Sequence, residues 1–435
     1  MTETWPAEQV LALAPDAAAA QAGRELAAPR CWPERGAAGD PPLVWGLCQG
    51  SGKRPYQVVV DRSGPAYKCS CPSRKIPCKH VLGLLLMWSV GQVAAAAPPG
   101  WAAGWFAERE RRAEAAAARS ARPAEAGPGS AATAARRSGR VASGLDELDR
   151  WLRDQVRTGL AGAERAGYAR FDAMAARMVD AQAPAVASAL RRLAGVAASG
   201  PGWPERLLAE LALLHLMVEA HRRLPALPEP LQATVRARVG YPVSQQDVLA
   251  GPPVHDTWAV LGRRDHEEDR LVSRRVWLRG ERTGRPALVL SYAPPGAPLD
   301  ASLVPGTRLD ADLHYYPGAA PLRALVGQRT GAPSPLWTVE GGGLDGAVAG
   351  YAAALAADPW LVSWPAVLAG VVPVAGEPWR LVEPAGAALP ILAGSCDTWR
   401  LLAVSGGRPV TVVAEYTVDG VGPVSVVDGG RLVSV

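Results

Sequence analysis

Twelve consecutive residues constrain this chain more than any others: Cys69-Ser70-Cys71-Pro72-Ser73-Arg74-Lys75-Ile76-Pro77-Cys78-Lys79-His80, spaced C-x-C-x6-C-x-H. A structural zinc ion takes four ligands in a tetrahedron, drawn from thiolate sulfur and imidazole nitrogen. This stretch supplies three thiols and one imidazole. Residues two apart on a strand share a face, so Cys69 and Cys71 can turn toward one point. Pro72 then ends the strand, having no N–H to give. The spacer lets the chain double back, and Cys78 and His80 open an apolar-periodic segment read as a helix. There the helix dipole, Lys75 and Lys79 favour thiolate over thiol. The chain has six cysteines in 435 residues, too few for a disulfide scaffold, and clustered cysteines in a reducing compartment point to a metal. Competing readings are accidental buried thiols, a catalytic zinc and a redox pair. A catalytic zinc keeps an open position, whereas this site looks full, and C-x-C lacks the C-x-x-C spacing of thioredoxin-like sites. Cys48 is a candidate extra or substitute ligand.

The flanks fit the same picture. Residues 56–60 form a β-rich run, 61–65 a turn cluster and 66–71 a returning strand, while Val81, Leu84, Leu85 and Trp88 recur at helical spacing. The order is strand, strand, helix. With Cys69, Cys71, Cys78 and His80 in place, this segment resembles the SWIM zinc finger, whose signature is C-x-C, a variable spacer, then C-x-H. The resemblance covers residues 40–95, and the layout as a whole resembles stand-alone bacterial SWIM-family proteins. It implies zinc as cofactor and a role in nucleic-acid or protein interaction. It implies no reaction.

The rest of the chain reads as an α+β multidomain protein. Residues 1–100 hold the small ββα zinc finger, preceded by an Ala-rich helix over 10–26 and a short strand over 43–47. Residues 101–140, with 15 alanines and eight arginines, read as a basic linker, helical early and disordered late. Residues 141–245 read as a helical domain: Ser143 can cap a helix carrying Leu145, Leu148, Leu152, Val156 and Leu160, and three further helices follow to His221. Residues 250–435 read as a β-rich domain of unassigned role, with strands expected at 258–261, 275–278, 287–292, 309–316, 379–382, 399–404, 410–416, 424–427 and 432–435 and a helix near 345–357. Trp277 before Gly284-Arg285-Pro286 and Trp399 before Gly407-Arg408-Pro409 hint at a duplicated hairpin.

Charge narrows the partner. Residues 51–80 carry Lys53, Arg54, Arg62, Lys68, Arg74, Lys75 and Lys79 against Asp61 alone, although the whole chain is only +5, and all four lysines lie between positions 53 and 79. Lys53, Arg54, Lys68, Arg74, Lys75 and Lys79 are therefore the candidate phosphate contacts, with Tyr56 and Tyr67 offering stacking surfaces. The sequence favours nucleic acid, DNA before RNA. The alternative is a protein-interaction scaffold, with the basic residues offsetting a zinc centre of net charge −1. An enzyme is the least favoured reading. No Gly-Lys-Ser/Thr follows Gly341-Gly342-Gly343, Gly394-Ser395-Cys396-Asp397 is no nucleophile elbow, and 266–269 reads as a solvated polar loop. His215 reads as a hydrogen-bonded core histidine, and Arg177, Asp180 and Gln182 as an inter-helix polar contact. No apolar run has the ~20 residues of a membrane helix and the N-terminus lacks a signal pattern, so the expected location is the cytoplasm.

Overall fold

Valines at alternating positions organise the N-terminal unit. The computed structural model describes residues 5–14, 17–50, 54–63, 66–73, 75, 77–120, 128–163, 167, 169–268, 271–294 and 299–435. In it β1 (Glu34–Ala37), β2 (Leu43–Cys48), β3 (Tyr56–Asp61) and β4 (Ala66–Cys69) form an antiparallel sheet in chain order. Successive strand residues face opposite ways. Val58 and Val60 therefore join Val44 and Cys48 against α3 (Lys79–Ser89), which is flanked by α1 (Ala7–Ala12) and α2 (Ala17–Leu26). Val59, with Leu43 and Trp45, faces the other way and is covered by Trp101, Ala102, Trp105 and Phe106 of α4 (Gly100–Ser120). The ββα order is present, inside a three-layer unit. Its core exceeds what residues 40–95 supply, because Trp5, Val10, Leu13 and Trp32 enter from upstream and Val304 from the C-terminal half.

Gly83 sits in the middle of α3, where glycine costs about 1 kcal/mol relative to alanine. The reason is contact with α2: a Cβ at Gly83 would lie 2.9 Å from Leu26 Cβ and 3.2 Å from the Gly23 carbonyl oxygen. Gly83→Val should overpack this crossing and destabilise the unit by about 1–3 kcal/mol, seen as a lower urea midpoint. An unchanged midpoint would mean that the helices separate without penalty.

The stretch expected to be a linker is helical on both sides of 121–127, which lies outside the described residues. Its first turns form the second cover of the sheet, and α5 (Pro128–Thr158) begins well before Ser143, which is inside the helix rather than its cap. Helices α5, α6 (Ala169–Asp180), α7 (Pro184–Ala197), α8 (Trp203–Arg222) and α9 (Glu229–Val239) pool one core, with Leu145, Leu148 and Leu152 buried as their spacing requires. Val156 is exposed and Leu160 lies beyond the helix end. Arg177 pairs with Glu147 at 3.0 Å, an inter-helix polar contact of the kind expected.

After α10 (Gln245–Ala250), β5 (Val254–Glu268), β6 (Leu271–Gly280), β7 (Pro286–Ala293), β8 (Thr307–Tyr315) and β9 (Arg323–Pro335) close into a barrel of order β5-β6-β7-β9-β8. Within it β7 and β9 pair in parallel. Next come α11 (Leu344–Ala357), β10 (Trp364–Val374), β11 (Arg380–Val382), β12 (Ala388–Pro390), α12 (Thr398–Ser405), β13 (Val410–Thr417), β14 (Gly420–Asp428) and β15 (Arg431–Ser434). Their strands form a second sheet of order β12-β11-β10-β13-β14-β15.

Residues 399–404, expected as a strand, are α12. Asp397 accepts the Arg400 N–H at 3.0 Å and Gly406 ends the helix at φ +57°, so start and stop signals outweigh the apolar run. The duplicated hairpin fails with it, since Trp277 is on a barrel strand and Trp399 on a helix. Residues 266–268 end β5 rather than forming a loop, and Asp269 lies outside the described residues. The bundle is tied to the C-terminal half: Trp360 Nε1 donates to the Leu213 carbonyl at 2.9 Å and Ala319 N–H to Thr234 Oγ1 at 2.9 Å. Among the described residues, no helix is long and apolar enough to cross a membrane.

Candidate metal centre

Strand β4 delivers the first two cysteines. Its pairing with β3 runs one residue past Cys69: Ser70 N–H donates to the Gln57 carbonyl at 3.0 Å and Gln57 N–H to Ser70 Oγ at 2.9 Å. Cys71 follows, and Pro72 takes the chain off the sheet. Cys78 is the residue before α3, and its carbonyl accepts the first helical bond from Leu82 at 3.1 Å. His80 is in the first turn and buried.

The four candidate ligand atoms all lie within 4.8 Å of one another. Cys69 Sγ is 3.8 Å and Cys78 Sγ 3.9 Å from His80 Nδ1. Zinc bonds of about 2.3 Å to sulfur and 2.0–2.1 Å to nitrogen place tetrahedral ligands roughly 3.6–3.8 Å apart, so the cage already has nearly the required edges. Nδ1 is the nitrogen turned to the thiols. The Tyr56 ring packs on His80 with centroids 4.8 Å apart at 43° and helps fix the imidazole. Gly50 makes room for that ring, since a Cβ there would meet Tyr56 at 2.5 Å.

The thiols are electrostatically unequal. Cys78 is held down to about 4, first by its hydrogen bond with Cys69; burial opposes this, and His80 and the Val81 N–H assist it. The same bond raises Cys69, and burial raises Cys71. One thiolate is therefore ready, and metal binding must displace the protons of the other two. Cys48 stands outside the cage. Its thiol is buried and pushed up to about 11 by burial and by Cys31, an environment that disfavours ligation.

Arg54, Lys68, Lys75 and Lys79 are exposed; Lys53 and Arg74 lie outside the described residues. Lys75 and Lys79 share a groove of about 510 Å³ with Tyr56, Cys71 and His80, whose other wall includes Ala19, Ala22 and Leu26 of α2. Arg54 and Lys68 do not line it. Tyr67 is no stacking platform. Its hydroxyl is buried without a hydrogen-bond partner among the described residues, and burial raises its pKa, with Arg263 and Arg274 of the barrel close enough to oppose the shift.

A second cluster went unseen in the sequence. Candidate ligand atoms of Asp149, His215 and Glu219 also lie within 4.8 Å of one another. His215 Nδ1 is 2.7 Å from Asp149 Oδ1, and Arg222 Nη1 bonds both Asp149 Oδ2, at 3.2 Å, and Glu219. A guanidinium bridges the two carboxylates where a metal would, so this is an ion-pair hub. Asp149 is the partner His215 lacked, and helical spacing in α5 and α8 gave no hint of it because the two lie 66 residues apart.

Comparison with known families finds two matches: a SWIM zinc finger over residues 56–89 and a SWIM-associated four-helix bundle domain over 136–239. No curated protein and no solved structure matches the chain. The finger match spans the cage from Tyr56 to the end of α3, and the bundle match runs from within α5 to the end of α9. The centre is a Cys3His zinc site inside the matched finger, so the chain carries a SWIM zinc finger over 56–89 and a SWIM-associated four-helix bundle domain over 136–239.

Proposed function

We propose that the zinc-loaded finger binds nucleic acid, DNA in preference to RNA, and that the protein is a binding protein rather than an enzyme. One observation carries this reading. The side chains of Arg54, Lys68 and Lys79 are exposed and make no hydrogen bond or ion pair among the described residues. A zinc ion with three thiolates and a neutral imidazole has net charge −1, which one lysine offsets; the remaining positive charge is surplus and suits phosphates. Changing Arg54, Lys68, Lys75 and Lys79 together to glutamine should weaken DNA binding and flatten log K against log salt by about 0.9 for each phosphate no longer neutralised. An unaltered salt slope would count against the reading. The apolar α2 wall of the groove supports a second reading, a protein partner that inserts an apolar side chain beside the zinc cage. Under that reading the quadruple variant keeps its affinity for the partner.

A further inference from the structure

The finger and the barrel line an open cavity of about 620 Å³, with Ser63 of the finger, Arg109 of α4, Asp300 and Ser302 of the β7–β8 connection, and Arg329 of β9. Its two arginines are differently placed. Arg109 is paired with the fully buried carboxylate of Asp61. Arg329 donates to Ser302 Oγ at 2.7 Å and forms no ion pair among the described residues. Asp300, the nearby acid, has its oxygens engaged by Ser302, from the N–H at 2.8 Å and the hydroxyl at 3.0 Å. Burial lowers the pKa of Arg329, the charge of Asp300 opposes the shift and that of Arg109 adds to it. A guanidinium has five N–H donors in a planar fork suited to phosphate oxygens, and among the described residues Arg329 uses one of them, in a recess shared with a second guanidinium, two hydroxyls and the engaged carboxylate of Asp300.

We propose that this cavity is a phosphate site, filled by a backbone phosphate of a nucleic-acid strand that also contacts the finger; the strand's identity rests on the function proposed above. The barrel supports the partner class by analogy. Its closed order β5-β6-β7-β9-β8 with parallel β7 and β9 is the order of the OB-fold, which binds oligonucleotides on the face of its second and third strands. Here that face is closed, because Trp277 of β6 and Leu288 of β7 pack against Val424 of β14. At the seam with the finger the barrel presents the Arg329 guanidinium to a ligand-sized space.

The test uses the full-length zinc-loaded protein, a single-stranded DNA oligonucleotide at several salt concentrations, and inorganic phosphate followed by thermal shift. Arg329→Gln should weaken oligonucleotide binding about tenfold and reduce the salt slope by about 0.7, the value of one single-strand phosphate contact. Arg329→Lys, which keeps the charge, should retain the slope; if both variants lose it equally, Arg329 is structural and the proposal fails. Strong binding by the unmodified protein with Arg329→Gln unchanged in affinity and slope overturns the cavity site and leaves the finger reading intact. If the unmodified protein binds neither this oligonucleotide nor its duplex form at low salt, the finger reading fails. Phosphate must then raise the melting temperature of the unmodified protein and not of Arg329→Gln, or the cavity site falls too.

Discussion

His80→Ala and Cys71→Ala should each bring bound zinc well below one ion per chain and strip order from residues 66–80. Structural zinc contributes an apparent ~10–16 kcal/mol in small fingers, comparable with the entire stability of an ordinary domain, so no other single change in this unit should cost as much. The effect has a boundary set by packing. Val58, Val60, Leu84 and Leu85 hold α3 against the sheet from within one buried cluster, and none of them depends on the metal. Hydrogen exchange should therefore rise first across the Cys69–His80 knuckle, spread to β3 and β4, and leave the bundle and the C-terminal sheets unchanged. Metal analysis of the purified variants decides the ligand assignment: stoichiometric zinc in both would refute it.

Asp149→Ala should be the most damaging change to a polar residue in the bundle. The carboxylate is 4% exposed and is held by His215 at 2.7 Å, Arg153 at 3.0 Å and Arg222 at 3.2 Å. Its partners are themselves a third to a half exposed, so water takes over part of the pairing and the loss is that of charge-assisted hydrogen bonds, about 1.5–3 kcal/mol. Arg222 keeps Asp146 and Glu219 as partners, which favours the lower end. The same site fixes an acid limit. Burial raises the Asp149 pKa, but bonds from His215 and Arg222 and the nearby charges of Arg153 and Arg222 outweigh it, and the net shift is downward. A carboxyl whose folded pKa lies below its unfolded value of about 3.9 contributes fully above that pH and loses its contribution as pH falls further. Unfolding midpoints of the bundle should thus differ between unmodified protein and Asp149→Ala at pH 7 and draw together as the pH falls below about 3.9. Equal midpoints at pH 7 would mean that the hub carries no net stability.

The zinc ligands are legible in the sequence because their spacing alone determines the chemistry: two residues apart on a strand, two apart at a helix start. The bundle is legible through the three-to-four spacing of Leu145, Leu148 and Leu152. What stays hidden depends on distant pairing. Tyr67 has the look of a stacking ring until the barrel arm carrying Arg263 and Arg274 comes beside it, and nothing near position 67 encodes that. The alanine- and arginine-rich residues after 100 resemble a tether by composition, yet Trp101, Trp105 and Phe106 have a sheet face to cover. At 399–404 an apolar run masks the Asp397 cap and the Gly406 stop that bracket it. The phosphate contacts proposed from charge remain divided: Lys75 and Lys79 share a groove, while Arg54 and Lys68 lie elsewhere on the finger.

Val304 of the barrel completes the finger's core, and this has a consequence for how the protein is made. A ribosome releases residues 5–93 long before residue 304. At about 5–20 residues per second the delay is about 10–40 s, during which the bundle can fold while one side of the finger stays open. The nascent finger therefore waits with an apolar gap in its core where Val304 will sit, and zinc captured early would hold its knuckle closed until the barrel arrives. Chains truncated before the barrel should consequently be chaperone clients even when their cysteine cage is filled.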